Sequence, residues 1–137
     1  MIGILIIAHG SLGESLMHCA NHVFGGNLPH VATMGIALHD EPATILPQAQ
    51  ALIKQLDQGE GVLVLSDMYG ATPCNVSCRL LEPGRVDVVA GVNLPMLVRV
   101  LTYRNEPLPV LVEKAISGGR DGVIEVSKEA CRVATGR

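Results

Sequence analysis

Apolar positions fall in short blocks separated by polar turns, and the blocks alternate between a continuous and a helical period. Residues 1 to 8 (MIGILIIA) are almost unbroken aliphatic, the pattern of a strand covered on both faces of a parallel sheet. Ser11 opens the next segment with Glu14 three residues on, the spacing in which two side chains cap each other's backbone amides at a helix start. A helix is predicted over 12 to 24, closed by Gly25 and Gly26. Residues 30 to 36 read as a second short strand, and 43 to 57 as an Ala-, Leu- and Gln-rich helix ended at Gly59 and Gly61. A third strand covers 62 to 65 and a fourth 86 to 90. Between them Thr72 is read as an N-cap and Pro73 as the first helical residue, since Pro needs no amide partner there, with the helix running to Leu81. Asn93 opens a helix through Tyr103, and a last helix over 109 to 117 is expected to stop at Gly118 and Gly119. Residues 122 to 126 read as a final strand, and the polar tail, 127 to 137, is expected to fray.

Strands alternating with helices predict an α/β fold, a three-layer sandwich around a mostly parallel open sheet, because each crossover helix must return the chain to the same edge. No internal repeat or low-complexity linker interrupts the 137 residues, a length that suits one domain. That domain is taken as 1–126, followed by the short tail 127–137. Such sheets carry their sites in the crevice at the carboxyl ends of the strands.

Composition narrows the function. Apolar residues make up 48% of the chain and the formal net charge is −3 with no basic cluster, while aromatic residues are only 2%. Binding to nucleic acid or to an anionic membrane surface loses its electrostatic and stacking basis. No apolar run reaches the length of a membrane span, and the opening run lacks the basic flank of a signal peptide. The chain is accordingly expected to be cytoplasmic, with no membrane insertion. The four cysteines, at 19, 74, 78 and 131, show no Cys-x-x-Cys spacing, so they read as reduced apolar fillers. No metal or cofactor is expected.

His9 follows the first predicted strand and Asp67 the third, and each precedes a helix start by a few residues. In a parallel sheet the two converge on one rim. A carboxylate bonded to one imidazole nitrogen fixes the tautomer and leaves the other nitrogen as a nucleophile at neutral pH. Helix N-termini nearby suit a phosphate, with Gly10, Gly70, Ala71 and Thr72 as the backbone around it. The same two residues also fit a His and an Asp that merely finish strands and cap turns. His18 and His22, four apart on one helix, have the spacing of metal ligands but no third partner in view, and read as an ordinary helix face. His39 and Asp40 lie past the second strand, where they either shape the site entrance or form a solvated loop. Ser11 lacks the Gly-x-Ser-x-Gly elbow of a nucleophile.

Three blocks, Ile6-Ile7-Ala8-His9-Gly10, Ser66 through Asn75 (SDMYGATPCN) and Ala90 through Leu97 (AGVNLPML), resemble those of the IIA component of the mannose family (mannose, fructose and sorbose type) of the bacterial phosphoenolpyruvate-dependent sugar phosphotransferase system. The resemblance extends from Met1 to about Val126. It implies a phosphotransferase in which His9 accepts a phosphoryl group from the carrier HPr and passes it to a separate IIB component. It further implies that Asp67 partners the imidazole, that Thr72 is the hydroxyl residue at the phosphate-binding helix start, and that the protein is a homodimer exchanging its C-terminal strand, here antiparallel. Many members carry a hydroxyl residue where this chain has Met68 and a second Gly where it has Ala71. Two other readings accompany this one. The segment Ala8-His9-Gly10-Ser11 also resembles the metal-binding histidine motif of small tetrapyrrole chelatases, although no His follows His39 to supply a second ligand. A purely regulatory phospho-switch would use His9 without any sugar being transported.

Overall fold

The computed structural model describes residues 1–135. The described elements run β1 (Gly3–His9), α1 (Leu12–Phe24), β2 (Val31–Ile36), α2 (Pro42–Leu56), β3 (Val62–Ser66), α3 (Thr72–Cys78), β4 (Val86–Ala90), α4 (Leu94–Thr102), α5 (Leu108–Asp121) and α6 (Lys128–Thr135). The strands form one parallel sheet in the order β2-β1-β3-β4. The predicted α/β sandwich is therefore present, and among the described residues its sheet is wholly parallel.

Successive side chains of a strand point to opposite faces, and the aliphatic run of β1 is divided accordingly. Ile4, Ile6 and Ala8 pack with Leu63, Leu65 and Val89 against Ala20, Leu97, Val100, Leu111 and Ala115 of α1, α4 and α5. Leu5 and Ile7 pack with Val62, Val64 and Val86 against Ile45, Ala49 and Val76 of α2 and α3. Each fully buried Ile or Leu contributes about 1.5–3 kcal/mol relative to exposure. A one-residue slip of β1 would exchange the two sets of side chains and turn His9 to the opposite face, so the core holds the register that the site needs.

Winding reverses about β1: the chain passes from β1 out to β2 on one side, then crosses back to β3 and β4 on the other. Connections from the adjacent strands β1 and β3 thus leave in opposite directions, opening a crevice between their carboxyl ends. The opposite end of the sheet is closed by Arg104, a buried side chain. Its guanidinium donates to the Ile2 carbonyl from Nε (3.2 Å) and Nη2 (2.9 Å), to the Pro29 carbonyl from Nη1 (2.7 Å) and to the His30 carbonyl from Nη2 (2.9 Å). Burial lowers its pKa from the usual arginine value. The cation is held by main-chain oxygens from the segments entering β1 and β2, and nothing in the hydrophobic pattern marked it.

Several boundaries differ from the sequence reading. β1 starts at Gly3 and includes His9, which pairs with Ile36, so His9 ends the strand instead of following it. Ser11 stands at the α1 start without a side-chain cap bond, because its backbone (φ −98°, ψ 11°) is already turning out of β1; the Ser11–Glu14 box does not form. Ala71 is the N-cap of α3, with its carbonyl accepting from the Asn75 amide at 2.9 Å, and Thr72 and Pro73 are the first two helical residues. That helix ends at Cys78, short of Leu81. α5 passes straight through Gly118 and Gly119. These residues are small because α4 lies against them: a Cβ at Gly118 would stand 2.9 Å from Arg99 Cβ, and one at Gly119 2.8 Å from Met96 Cε.

Residues 122–126 form no strand in the single chain, since a strand needs an edge to pair with and this run meets none in its own fold. The tail does not fray where it is described. Ser127 Oγ accepts from the Ala130 amide at 3.1 Å, an N-cap that starts α6, and Glu129 pairs with Arg132 one turn on; residues 136 and 137 lie outside the described part. No helix among the described residues is long and apolar enough to cross a membrane.

Replacing Arg104 by Met would keep much of its length and take the guanidinium donors from the Ile2, Pro29 and His30 carbonyls, of which His30 keeps the Ile4 amide (3.0 Å). The expected loss of stability is about 3 kcal/mol, read as a lower urea midpoint at unchanged slope; an unchanged midpoint would show that water replaces the guanidinium at no cost.

Candidate active site

The parallel register decides which polar side chains meet. Ile7 of β1 is level with Ser66, the last residue of β3, so His9 and Asp67 emerge side by side at the rim of the crevice. Asp67 Oδ2 accepts from the His9 amide at 2.9 Å and lies 2.7 Å from His9 Nδ1, while Oδ1 accepts from the Met68 amide at 2.8 Å. The imidazole is 54% exposed and the carboxylate 10%.

Partial burial pushes the Asp67 carboxyl upward. The bonds it accepts from the His9 amide, the His9 ring and the Met68 amide, together with the nearby imidazole, outweigh that effect and hold the group below the usual carboxylate range. An ionised carboxylate only accepts, so Nδ1 carries the proton and the Nε2 lone pair is left without a protein partner. This is the arrangement of an oriented nucleophile.

Turn geometry keeps the imidazole at the surface. Gly10 takes φ +52°, a left-handed conformation that a side chain would disfavour, and its amide donates to the Ile36 carbonyl at 3.0 Å. Gly10 therefore shapes the β1–α1 turn and has no free amide to offer. The turn folds so closely over β2 that a Cβ on Gly35 would lie 2.2 Å from the Gly10 carbonyl oxygen. Gly35 went unnoticed in the sequence, although an isolated glycine in a strand is the signal for a close backbone approach.

On the other side of the crevice, the loop after Asp67 passes through Gly70 (φ +85°) into α3. Ala71 donates a long bond, 3.4 Å, to the Met68 carbonyl. The Thr72 and Cys74 amides belong to the first turn, where intrahelical acceptors are missing by geometry, and Pro73 has no N–H. Thr72, entering the helix as a residue of its first turn, has a hydroxyl that caps nothing. Ser66, beneath Asp67, is fully buried with an unpartnered hydroxyl, while its carbonyl accepts from Gly91 (2.9 Å) and Val92 (3.0 Å).

None of the remaining candidates is hydrogen-bonded to the His9–Asp67 pair. His18 and His22 sit exposed on α1, and no group of three or more His, Cys, Asp or Glu among the described residues is gathered to hold a metal ion. Asp40 closes its own loop by accepting from the Ala37 amide at 2.6 Å, with His39 exposed beside it. Among the described residues no two cysteines are joined in a disulfide. Burial and the neighbouring Cys74 raise the pKa of the Cys78 thiol.

Residues 3–116 match the family model of the PTS system fructose IIA component. Over 125 residues the chain is 33% identical to the PTS system mannose-specific EIIAB component of Escherichia coli (strain K12), covering 89% of this chain and 38% of that protein. It thus spans well under half of that relative's length. Over 110 residues it is 33% identical to the PTS system fructose-specific EIIA component of Bacillus subtilis (strain 168), covering 76% and 71% of the two chains. Among solved structures, the phosphotransferase system component EIIA from Streptococcus agalactiae superposes with a TM-score of 0.80 at 26% identity, covering 91% of this chain and 97% of that one. Fold, matched span and shared sequence together establish that this chain belongs to the mannose- and fructose-type IIA family of the phosphotransferase system.

Proposed function

We propose that His9 is a transient phosphoryl acceptor, charged by phosphorylated HPr and discharged to a IIB component of a sugar phosphotransferase system. The observation that carries this reading is the 2.7 Å contact between His9 Nδ1 and Asp67 Oδ2 under an exposed ring. In the forward step the Nε2 lone pair forms a new N–P bond as the N–P bond to the donor imidazole breaks, and that imidazole leaves with its electron pair. Asp67 keeps the proton on Nδ1 and stabilises the positive charge that builds on the ring. The phosphoryl oxygens are received by the backbone of Gly70, Ala71 and Thr72 with the Thr72 hydroxyl, while Gly10 sets the turn that clears their approach. Transfer to the IIB component runs the same chemistry in reverse, with the acceptor's side chain as nucleophile.

The same reading makes the protein a homodimer in which residues 122–126 add antiparallel to the neighbour's sheet. β4 is an open edge, and a groove of about 580 Å³ beside it is lined by Val88, Ala90, Met96, Val112 and Ile116. Val123, Ile124 and Val126 are exposed in the single chain, an apolar load that pairing with an edge strand would bury.

Incubation with enzyme I, HPr and labelled phosphoenolpyruvate should place acid-labile label on the wild type and none on His9→Ala; an unlabelled wild type would remove the phosphoacceptor role. Asp67→Asn should slow transfer by at least about 10- to 100-fold, the range for losing a carboxylate that orients a metal-bound imidazole. Asp67 also contributes to stability, and its lowered pKa fixes the sign. That contribution is complete above the ordinary aspartate pKa of about 3.9 and disappears as pH falls through the lower folded value. The stability gap between wild type and Asp67→Asn, about 1–3 kcal/mol, should hold from pH 7 to 5 and narrow below pH 4 in urea titrations. Light scattering of Ile124→Pro should give a monomer if residues 122–126 pair between copies, and an unchanged dimer would place the interface elsewhere.

A further inference from the structure

Cys74 and Cys78 stand one helical turn apart on α3 and take no part in the chemistry of His9. Cys74, in the first turn beside Thr72, is 3% exposed, whereas Cys78, the last helical residue, is open to solvent. The two thiols face one another closely enough to interact, and burial, together with that neighbour, raises the pKa of Cys78. An accessible thiol in contact with a protected one is the composition of a dithiol that closes on oxidation. The accessible sulfur meets the oxidant and the protected sulfur resolves it.

Helix geometry sets the demand that closure would make. β-carbons four residues apart in a regular helix are about 5–6 Å from each other, while a disulfide needs about 3.5–4.5 Å. The turn must therefore draw in by about 1–2 Å. α3 can yield on that scale. It has only seven residues, and Ser77 Oγ donates to the Pro73 carbonyl at 2.7 Å, a side-chain bond of the kind that bends helices. Just beyond Cys78 the chain is already wound more tightly, with the Arg79, Leu80 and Leu81 amides donating to the carbonyls three residues back, Val76 (3.1 Å), Ser77 (3.0 Å) and Cys78 (3.4 Å). Val76 and Leu80 are fixed in the core beside α2. The displacement thus falls on the first turn, where Thr72 and Asn75 are exposed and Ala71 is held by its long 3.4 Å bond to Met68.

Resting on His9 as the phosphoacceptor for its consequence, we propose that Cys74 and Cys78 form a reversible disulfide that displaces the first turn of α3 and slows phosphoryl transfer. A small-molecule disulfide serves as the oxidant. The Cys78 thiolate attacks one of its sulfurs and expels a thiolate, leaving a mixed disulfide. Cys74 then gives up its proton, attacks the Cys78 sulfur and expels the second thiolate. Two protein thiols are oxidised to one disulfide as the small disulfide is reduced to two thiols, which carry away both protons. Strain in the tightened turn makes the bond readily reducible. The raised pKa of Cys78 makes closure slow.

The test incubates the whole chain with oxidised glutathione and removes the oxidant before enzyme I, HPr and labelled phosphoenolpyruvate are added. Wild type is compared with Cys78→Ser and with Cys19→Ser/Cys131→Ser. Wild type and the double variant should lose the mass of two hydrogen atoms, mapped to the peptide that holds residues 74 to 78, and the Thr72 amide resonance should shift. Labelling of His9 should slow by about 10- to 100-fold, the scale expected when a site is misplaced by about 1 Å, and dithiothreitol should restore it. Cys78→Ser should label at the reduced wild-type rate before and after treatment. Thiols that survive at 74 and 78, a glutathione adduct that goes no further, or a disulfide mapped elsewhere would each overturn the proposal. So would a mapped disulfide that leaves the Thr72 resonance in place, or one that leaves labelling as fast as in the reduced chain. If reduced wild type takes no label, the phosphoacceptor reading is what fails, and the mass, the map and the Thr72 resonance still decide the disulfide.

Discussion

Asp67 accepts from the His9 amide, the His9 ring and the Met68 amide with one carboxylate, and the site depends on that convergence. The amide bond ties the end of β1 to the residue after β3, and the ring bond decides which nitrogen carries the proton. The Met68 bond holds the loop that leads into α3. A neutral acid there would surrender one acceptor oxygen to a proton and weaken all three contacts. Burial opposes the charge, but a side chain only 10% exposed still leaves its acceptors where the donors can reach them. The group that directs the imidazole thus also joins the two strands whose crevice contains it.

The ends of the sheet are treated differently, and the difference follows from what each end must do. At the amino end a buried guanidinium fixes the Ile2, Pro29 and His30 carbonyls, removing freedom where nothing has to bind. At the carboxyl end the backbone is kept accessible, with left-handed Gly10 and Gly70 and unpaired first-turn amides in α3. Ser66 shows what that arrangement costs: its hydroxyl is fully buried with no partner, in a strand whose other members are Val and Leu. A buried orphan polar group disfavours folding by about 1–3 kcal/mol. Such a cost is easiest to sustain where the two cores already contribute far more.

How much of this was legible in the sequence depended on whether a feature was local. The strands were visible because 1–8 and 62–65 are almost wholly aliphatic and 86–90 is so apart from Asp87, and His9 and Asp67 because they lie at or just past the ends of two of those runs. Features set by a partner distant in the chain were not visible. Gly118 and Gly119 look like a helix stop until α4 is seen pressed against them. Ser11 and Glu14 have capping spacing, yet the tight exit from β1 takes Ser11 out of capping geometry. Arg104 and Ile2 lie at opposite ends of the domain's sequence, so no window shows that one binds the other. For 122–126 the apolar pattern gives the capacity to pair, but the edge it would pair with is not part of the pattern.

The two departures from the usual family blocks, Met68 and Ala71, bear differently on the site once the backbone is known. Met68 serves Asp67 through its amide, a contact that any residue except proline can make, and its side chain points into solvent at 59% exposure. Losing a hydroxyl there leaves the His9–Asp67 pair intact. Ala71 takes φ −87° and ψ 169° as the N-cap of α3, an extended conformation open to every residue, so glycine's freedom is not required at that position. The left-handed turn falls on Gly70 instead (φ +85°). What the loop needs is one glycine at the bend and a main-chain donor for the carboxylate, and this sequence keeps both, so an apolar side chain at 68 leaves the imidazole undisturbed.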